Sequence, residues 1–278
     1  DGGVVPTHWQ QQQFPQDFKP KLRVLHDGID MQYFQPQLGT KLVLPPIPPD
    51  QVDRAIGISP DTSELTPTQK FQREFWPKGL DLSAVPEVVT YVSRGMEPYR
   101  GFPQFMEAVS LLQKQRPQCH VVVVGQDRVA YGKTLPDGQT YRDKALSELD
   151  LDLSRLHFTG GLSYDQLRMV YQASSVHVYL TRPFVLSWSM LEAMACGCAI
   201  VGSRTPPIEE AIVDGENGFL VDFFDPAAIA AQVSEVLDRQ TDPELLAIRQ
   251  RARETVLERY DLAKLLPQHI DWLKSWMA

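Results

Sequence analysis

The chain has 278 residues, 43% hydrophobic and 22% charged, ordinary proportions for a folded protein of one large or two modest domains. Its 27 basic and 35 acidic residues leave a net charge of −8, which disfavours a nucleic-acid partner, because neutralising phosphates needs a basic excess. Three cysteines (Cys119, Cys196, Cys198) make neither a disulfide framework nor a Cys-x-x-Cys pair, and no apolar run nears the roughly 20 residues that cross a bilayer; a cytoplasmic protein without structural zinc is expected.

Residues 1–36 hold a strand candidate, Leu22–His26, and are too short for a domain of their own. Twelve of the 22 prolines fall within the first 86 residues. Residues 37–86, with Pro45-Pro46-Ile47-Pro48-Pro49, read as a linker or insertion carrying one short helix over Thr66–Phe75. From Val88 the pattern changes to short β-branched runs alternating with amphipathic stretches. Val88–Val92, Cys119–Val124, Leu156–Phe158, Val176–Leu180, Ala199–Val201 and Gly218–Val221 are predicted strands. Phe102–Gln115, Tyr141–Leu149, Tyr164–Ala173, Ser187–Ala195, Ile208–Ile212 and Pro226–Leu237 are predicted helices. Short apolar strands alternating with helices imply an α/β fold, a Rossmann-like doubly wound parallel sheet over residues 87–261. Two helices close the chain, Pro243–Tyr260 behind an Asp242 cap and Leu262–Trp276, the latter the core of a C-terminal segment, residues 262–278, that must bury an apolar face.

In open α/β sheets ligands gather at the carboxyl ends of the strands, near helix N-termini. After the first predicted sheet strand, Arg94 and Arg100 stand six residues apart among Gly and Pro, where a loop turns into a helix. Guanidinium forks in that setting can converge on one diphosphate, or both can be solvated loop charges. After the fourth, the run Arg182–Gly197 is a turn leading into a helix. Glu192 there either receives a pair of ribose hydroxyls or folds back in a capping box, Ser189-x-x-Glu192. A dinucleotide fingerprint, a Walker loop and a Gly-x-Ser-x-Gly elbow are all absent. The six histidines are scattered, so no metal site is expected.

Taken together, these segments resemble one family. Val88–Tyr260, with the arginine pair, Val121–Gly125, Phe158-Thr159-Gly160, Leu191-Glu192-Ala193-Met194-Ala195-Cys196-Gly197, Asp214–Val221 and Arg259-Tyr260, is similar to the C-terminal nucleotide-sugar-binding domain of group 1 retaining glycosyltransferases (family 4, GT-B fold). Thr7-His8-Trp9-Gln10 and Val24–Asp30 look like the end of that family's N-terminal domain. The resemblance implies Arg94 and Arg100 on the donor's distal phosphate and Glu192 on the ribose. It also implies Gly161 and Leu162 at the base, and the backbone N–H groups of Leu186, Ser187 and Trp188 at the phosphate. The family's other glutamate, facing the donor sugar, would fall at Phe184, so Phe184 and neighbouring Arg182 are the sugar-side candidates, with Phe184 as core beneath the loop the alternative reading. Val185 and Ser187 occupy positions that the family often gives to glycine. It further implies a metal-independent hexose transfer from a UDP- or GDP-sugar to a hydroxyl acceptor, with no cofactor. Catalytic groups and any peripheral membrane association would belong largely to an N-terminal domain of which this chain carries only a remnant, so an inactive fragment is expected. A non-catalytic nucleotide-sugar-binding module and a sugar-nucleotide epimerase of the same fold are the alternatives.

Overall fold

The computed structural model describes residues 2–55, 58 and 63–276; residues 56, 57 and 59–62 of the proline-rich stretch, and 1, 277 and 278, lie outside that description. The chain opens with β1 (Gly3–Val5), α1 (His8–Gln13) and β2 (Leu22–Val24), the two strands pairing in parallel. Thr7 caps α1 by accepting the Gln10 N–H.

The proline-rich stretch is more structured than a linker. It forms β3 (Val43–Leu44), α2 (Pro49–Ala55), the expected short helix as α3 (Pro67–Phe75) behind a Thr66–Gln69 capping box, and β4 (Leu80–Asp81), antiparallel to β3. Leu42, Leu44, Val52, Trp76 and Leu82 are buried against Val88, Val122, Val124 and Val170, so the segment covers one face of the main sheet. Its prolines hid this from a periodicity argument, because the burial rests on isolated large side chains between turns.

All six predicted sheet strands form. They are β5 (Glu87–Gly95), β6 (Cys119–Gln126), β7 (Leu156–Gly160), β8 (Val176–Tyr179), β9 (Ile200–Ser203) and β10 (Phe219–Val221), and they run parallel in the order β10-β9-β8-β5-β6-β7. Helices α4 (Phe102–Gln115), α5 (Tyr141–Glu148), α6 (Tyr164–Ala173), α7 (Trp188–Ala195), α8 (Pro206–Glu209) and α9 (Pro226–Asp238) connect them. Val121–Val124 are all buried, which is why this strand reads as an unbroken apolar run rather than an alternation. One expected helix is displaced: Ile208–Ile212 becomes the single turn of α8. Pro206 and Pro207 set its first turn, and Asn217 ends it by donating to the Ala211 carbonyl and accepting the Val213 N–H.

Chain order reverses between β5 and β8, which lie side by side although β6 and β7 intervene in sequence. The carboxyl ends of these two strands therefore flank a crevice, the place where this architecture holds ligands.

Helices α10 (Pro243–Arg259) and α11 (Leu262–Lys274) return to the opening segment. Ile29 donates to the Tyr260 carbonyl and receives the Leu262 N–H, at 2.7 and 2.9 Å. Gly28 permits the crossing: its φ is +97°, and a Cβ there would stand 2.7 Å from the Leu262 Cα. Ile29, Met31 and Phe34 complete the core between α7 and α10. The carboxylate of Glu210 receives the backbone N–H groups of His8 and Trp9, and the Trp276 ring lies against Gly2. On α11, Leu265 is buried while Leu266, Ile270 and Leu273 remain exposed.

Candidate functional site

A cavity of about 740 Å³ occupies the crevice between β5 and β8, a size that suits a small organic ligand. Arg94, Arg100, Gly161, Leu162, Leu186, Ser187, Trp188 and Glu192 all line it. Eight of the ten sequence-derived positions are thus brought to one place by strand order alone. Arg182 and Phe184 are set back from the lining.

The first wall is the carboxyl end of β5 and the loop that follows it. Arg94 projects from it exposed, with no hydrogen-bond or ion-pair partner among the described residues. A one-turn 3₁₀ helix, Pro98–Arg100, then turns the chain inward, and Gly101 at φ +65° lets α4 start where a Cβ would meet the Leu180 Cβ at 2.6 Å. Arg100 is consequently buried, 6% exposed, although charged. Its Nη1 donates to the Tyr179 hydroxyl at 2.9 Å, the Thr181 Oγ1 at 3.1 Å and the Val185 carbonyl at 3.4 Å. Its guanidinium also faces the rings of Tyr131 and Phe184, 5.6 and 5.8 Å away. Buried Glu97 holds this arrangement from behind by accepting the backbone N–H groups of Tyr131 and Gly132.

Phe184 is therefore a flank of Arg100, packed also on Tyr99 and Tyr131, where the sequence suggested a sugar contact. Arg182 is exposed and lies over Tyr99 and Phe224, away from the cavity.

The second wall is α7 and the turn before it. Ser187 caps the helix by accepting the Ser189 N–H, and its own N–H donates to the Tyr179 hydroxyl at 3.1 Å. Because Ser187 is the cap, the alternative capping box from Ser189 to Glu192 does not form. Glu192 instead turns into the cavity, 5% exposed, and its Oε2 accepts the Tyr171 hydroxyl at 3.1 Å. Burial pushes the Glu192 carboxyl up to about 7, the Tyr171 hydrogen bond pulling the other way.

Gly161 and Leu162 line the cavity after β7; Gly160 before them, at φ +71°, lies so close to Gln72 that a Cβ would fall 2.4 Å from its amide nitrogen. Pro6 and Asp27 of the opening segment face the cavity from the remaining side, and the Trp188 indole N–H donates to Asp27 at 3.1 Å.

Sequence reasoning missed Asp27, Tyr131, Tyr171 and Tyr179. Tyr171 and Tyr179 sit among apolar residues, where each reads as core; Tyr131 stands in the loop after β6, and Asp27 lies 67 residues before Arg94 with no spacing to connect them. Two cations, a helix N-terminus and a protonatable carboxylate within one crevice suit a ligand that joins a diphosphate to a hydroxyl-bearing ring. Among the described residues no three metal-ligating side chains cluster, and no helix is long and apolar enough to cross a membrane.

Residues 72–255 match the sequence model described as "Glycosyl transferases group 1", and residues 1–34 match "Glycosyl transferase family 4 group". A D-inositol 3-phosphate glycosyltransferase of Corynebacterium efficiens is 30% identical over 195 residues, which is 67% of this chain and 43% of the relative. A trehalose synthase of Pyrococcus horikoshii is 26% identical over 70% of this chain and 45% of its own length. The chain thus spans about half the length of the curated relatives it matches. Among solved structures, Anabaena HepE in complex with UDP-glucose superposes over 98% of this chain and 63% of its own, with a TM-score of 0.70 and 16% identity. The C-terminal domain of a group 1 glycosyl transferase from Francisella tularensis is covered completely, over 84% of this chain, with a TM-score of 0.57 and 20% identity.

Proposed function

The chain belongs to the group 1 glycosyl transferases, and from that premise we propose that it is the donor-binding part of a GT-B enzyme that moves a hexose from a UDP- or GDP-sugar to a hydroxyl acceptor with retention at the anomeric carbon. One observation carries the reading: Arg94, Arg100, the start of α7 and Glu192 share one cavity at the carboxyl edge of the sheet. The two arginines and the helix N-terminus would meet the diphosphate, and Glu192 would receive two ribose hydroxyls. Positive groups preorganised in a partly buried site stabilise a departing diphosphate in the way a divalent cation would elsewhere, so we propose a metal-independent transfer. The UDP-glucose held by HepE, whose fold this chain shares, supports a uridine nucleotide as the first choice.

This reading puts the acceptor side outside the crevice. Without a surface holding a hydroxyl against the anomeric carbon, the gain from positioning, roughly 7–11 kcal/mol, is lost. The proposal therefore expects nucleotide binding without turnover by these 278 residues. Calorimetric titration with UDP and GDP, beside a donor-consumption assay, tests both halves. Acceptor-dependent transfer by this chain would refute the assignment of catalytic groups to another part of the enzyme, and binding of neither nucleotide would overturn the donor-binding reading in favour of a degenerate, non-catalytic module.

A further inference from the structure

Tyr179 ends β8 at the switch point, is 3% exposed, and lines the cavity beside Arg100 and Ser187. Its hydroxyl accepts two hydrogen bonds from opposite walls, from Arg100 Nη1 at 2.9 Å and from the Ser187 backbone N–H at 3.1 Å. A phenolic oxygen has acceptor capacity for two such bonds and a single proton to give. Both lone pairs are committed, and among the described residues no protein group accepts that proton. Two donors pulling on the oxygen, one of them charged, make the remaining O–H a stronger donor.

We propose that Tyr179 is the neutral hydrogen-bond donor of the anion site, giving its proton to a phosphate oxygen of the bound nucleoside diphosphate. The inference rests on the donor-binding reading above. Arg100 spends Nη1 on Tyr179, Thr181 and Val185, so that edge of the guanidinium does not reach ligand directly. Tyr179 carries its polarisation onward and adds direction, since both accepted bonds fix where the phenol oxygen stands. The Ser187 bond ties the same hydroxyl to the cap of α7, so the cationic wall and the helix wall are held in one register around the phosphate.

A strut that only holds Arg100 in place would use Tyr179 as an acceptor alone, and the two roles respond oppositely to fluorination of the ring. Fluorotyrosine at position 179 is a better donor and a poorer acceptor than tyrosine. Titrations with UDP and with uridine, at a pH where the phenol stays protonated, provide the readout. In Tyr179→Phe the proposal expects UDP binding at least fivefold weaker and uridine binding unchanged; in the fluorotyrosine protein it expects UDP binding tighter than in the wild type. Weaker UDP binding by the fluorotyrosine protein, or equal UDP affinity in Tyr179→Phe and wild type, overturns the donor role and leaves the nucleotide site standing. Failure of the wild type to bind either UDP or GDP removes the nucleotide reading itself, and this inference with it.

Discussion

Trp188 and Asp27 meet across the mouth of the cavity, indole N–H to carboxylate at 3.1 Å, from positions 161 residues apart. Both side chains are exposed, so water replaces either partner at little cost. Asp27→Ala should lower stability by less than about 1 kcal/mol. Glu210→Ala, which leaves the His8 and Trp9 amides without their shared carboxylate, should cost more, about 1–2 kcal/mol. Urea melts of the two variants rank the fasteners of the opening segment; a larger loss for Asp27→Ala would reverse that ranking.

The two arginines should separate cleanly. Arg94 has no partner among the described residues, so Arg94→Ala should leave the melting midpoint within error while weakening UDP binding about tenfold, the worth of one charge-assisted contact. Arg100→Ala should lose binding and stability together, because Tyr179, Thr181 and two aromatic faces lose the group that ties them. Lysine should rescue little at position 100, since a point charge has neither the fork nor the flat face. Calorimetry paired with thermal melts reads both quantities.

If Glu192 receives the ribose hydroxyls as proposed, binding should depend on pH. Hydroxyls that donate to its carboxylate select the ionised form, which burial holds back until about pH 7. Affinity for uridine, which brings no phosphate charge, should rise between pH 6 and 8, and Glu192→Gln should flatten the curve. An affinity that falls over this interval would place the hydroxyls elsewhere.

Stability should fail on the acid side first. Burial pushes His26 down to about 4 and His177 down to about 3, against 6.5 for free imidazole. Both are neutral in the fold and protonate readily once unfolded, so their contribution is complete above pH 6.5 and is lost as pH falls toward 4. Each is worth on the order of 3 kcal/mol over that interval. Glu192 works in the opposite sense: it keeps its proton longer in the fold, so stability declines as pH rises from 4.5 to 7. Two histidines outweigh one carboxyl, and melts from pH 8 to 4.5 should show a net loss toward acid, with Glu192→Gln gaining most at the alkaline end.

Gly101→Ala should disturb the site from outside its lining. The position needs φ near +65° and has Leu180 against it, so the substitution should cost about 1–3 kcal/mol and displace Arg100. Weakened UDP binding with unweakened uridine binding would show that the displacement reaches the phosphate end alone.

The α/β unit was legible because its signals are local and repeated: valine runs for buried strands, and Asp225-Pro226 and Asp242-Pro243 for helix starts. Strand ends then converge by topology, which is how eight positions spread over nearly a hundred residues could be assigned to one crevice. What resisted was information carried by partners distant in sequence. Phe184 reads equally as pocket or core, and only Tyr131 and Arg100 seen against it show what it packs on; Glu192 reads as a cap until Ser187 is seen to hold that place. Tyr179 sits in an apolar strand where only its two hydrogen bonds mark it as polar in use.

The crossing at Gly28 has a kinetic side. Most strand pairings from Glu87 to Val221 join segments near in sequence, and the longest, Val89 to Val176, spans 87 residues, whereas the bonds of Ile29 to Tyr260 and Leu262 close a loop of more than 230 residues. Closing so long a loop costs chain entropy before any contact offsets it, so these pairings should come late in folding and open early in native-state fluctuation. Hydrogen exchange should then find Leu262 and Ile29 amides released well before those of β6. The wall that Pro6 and Asp27 give the cavity would thus be the part of the site that breathes.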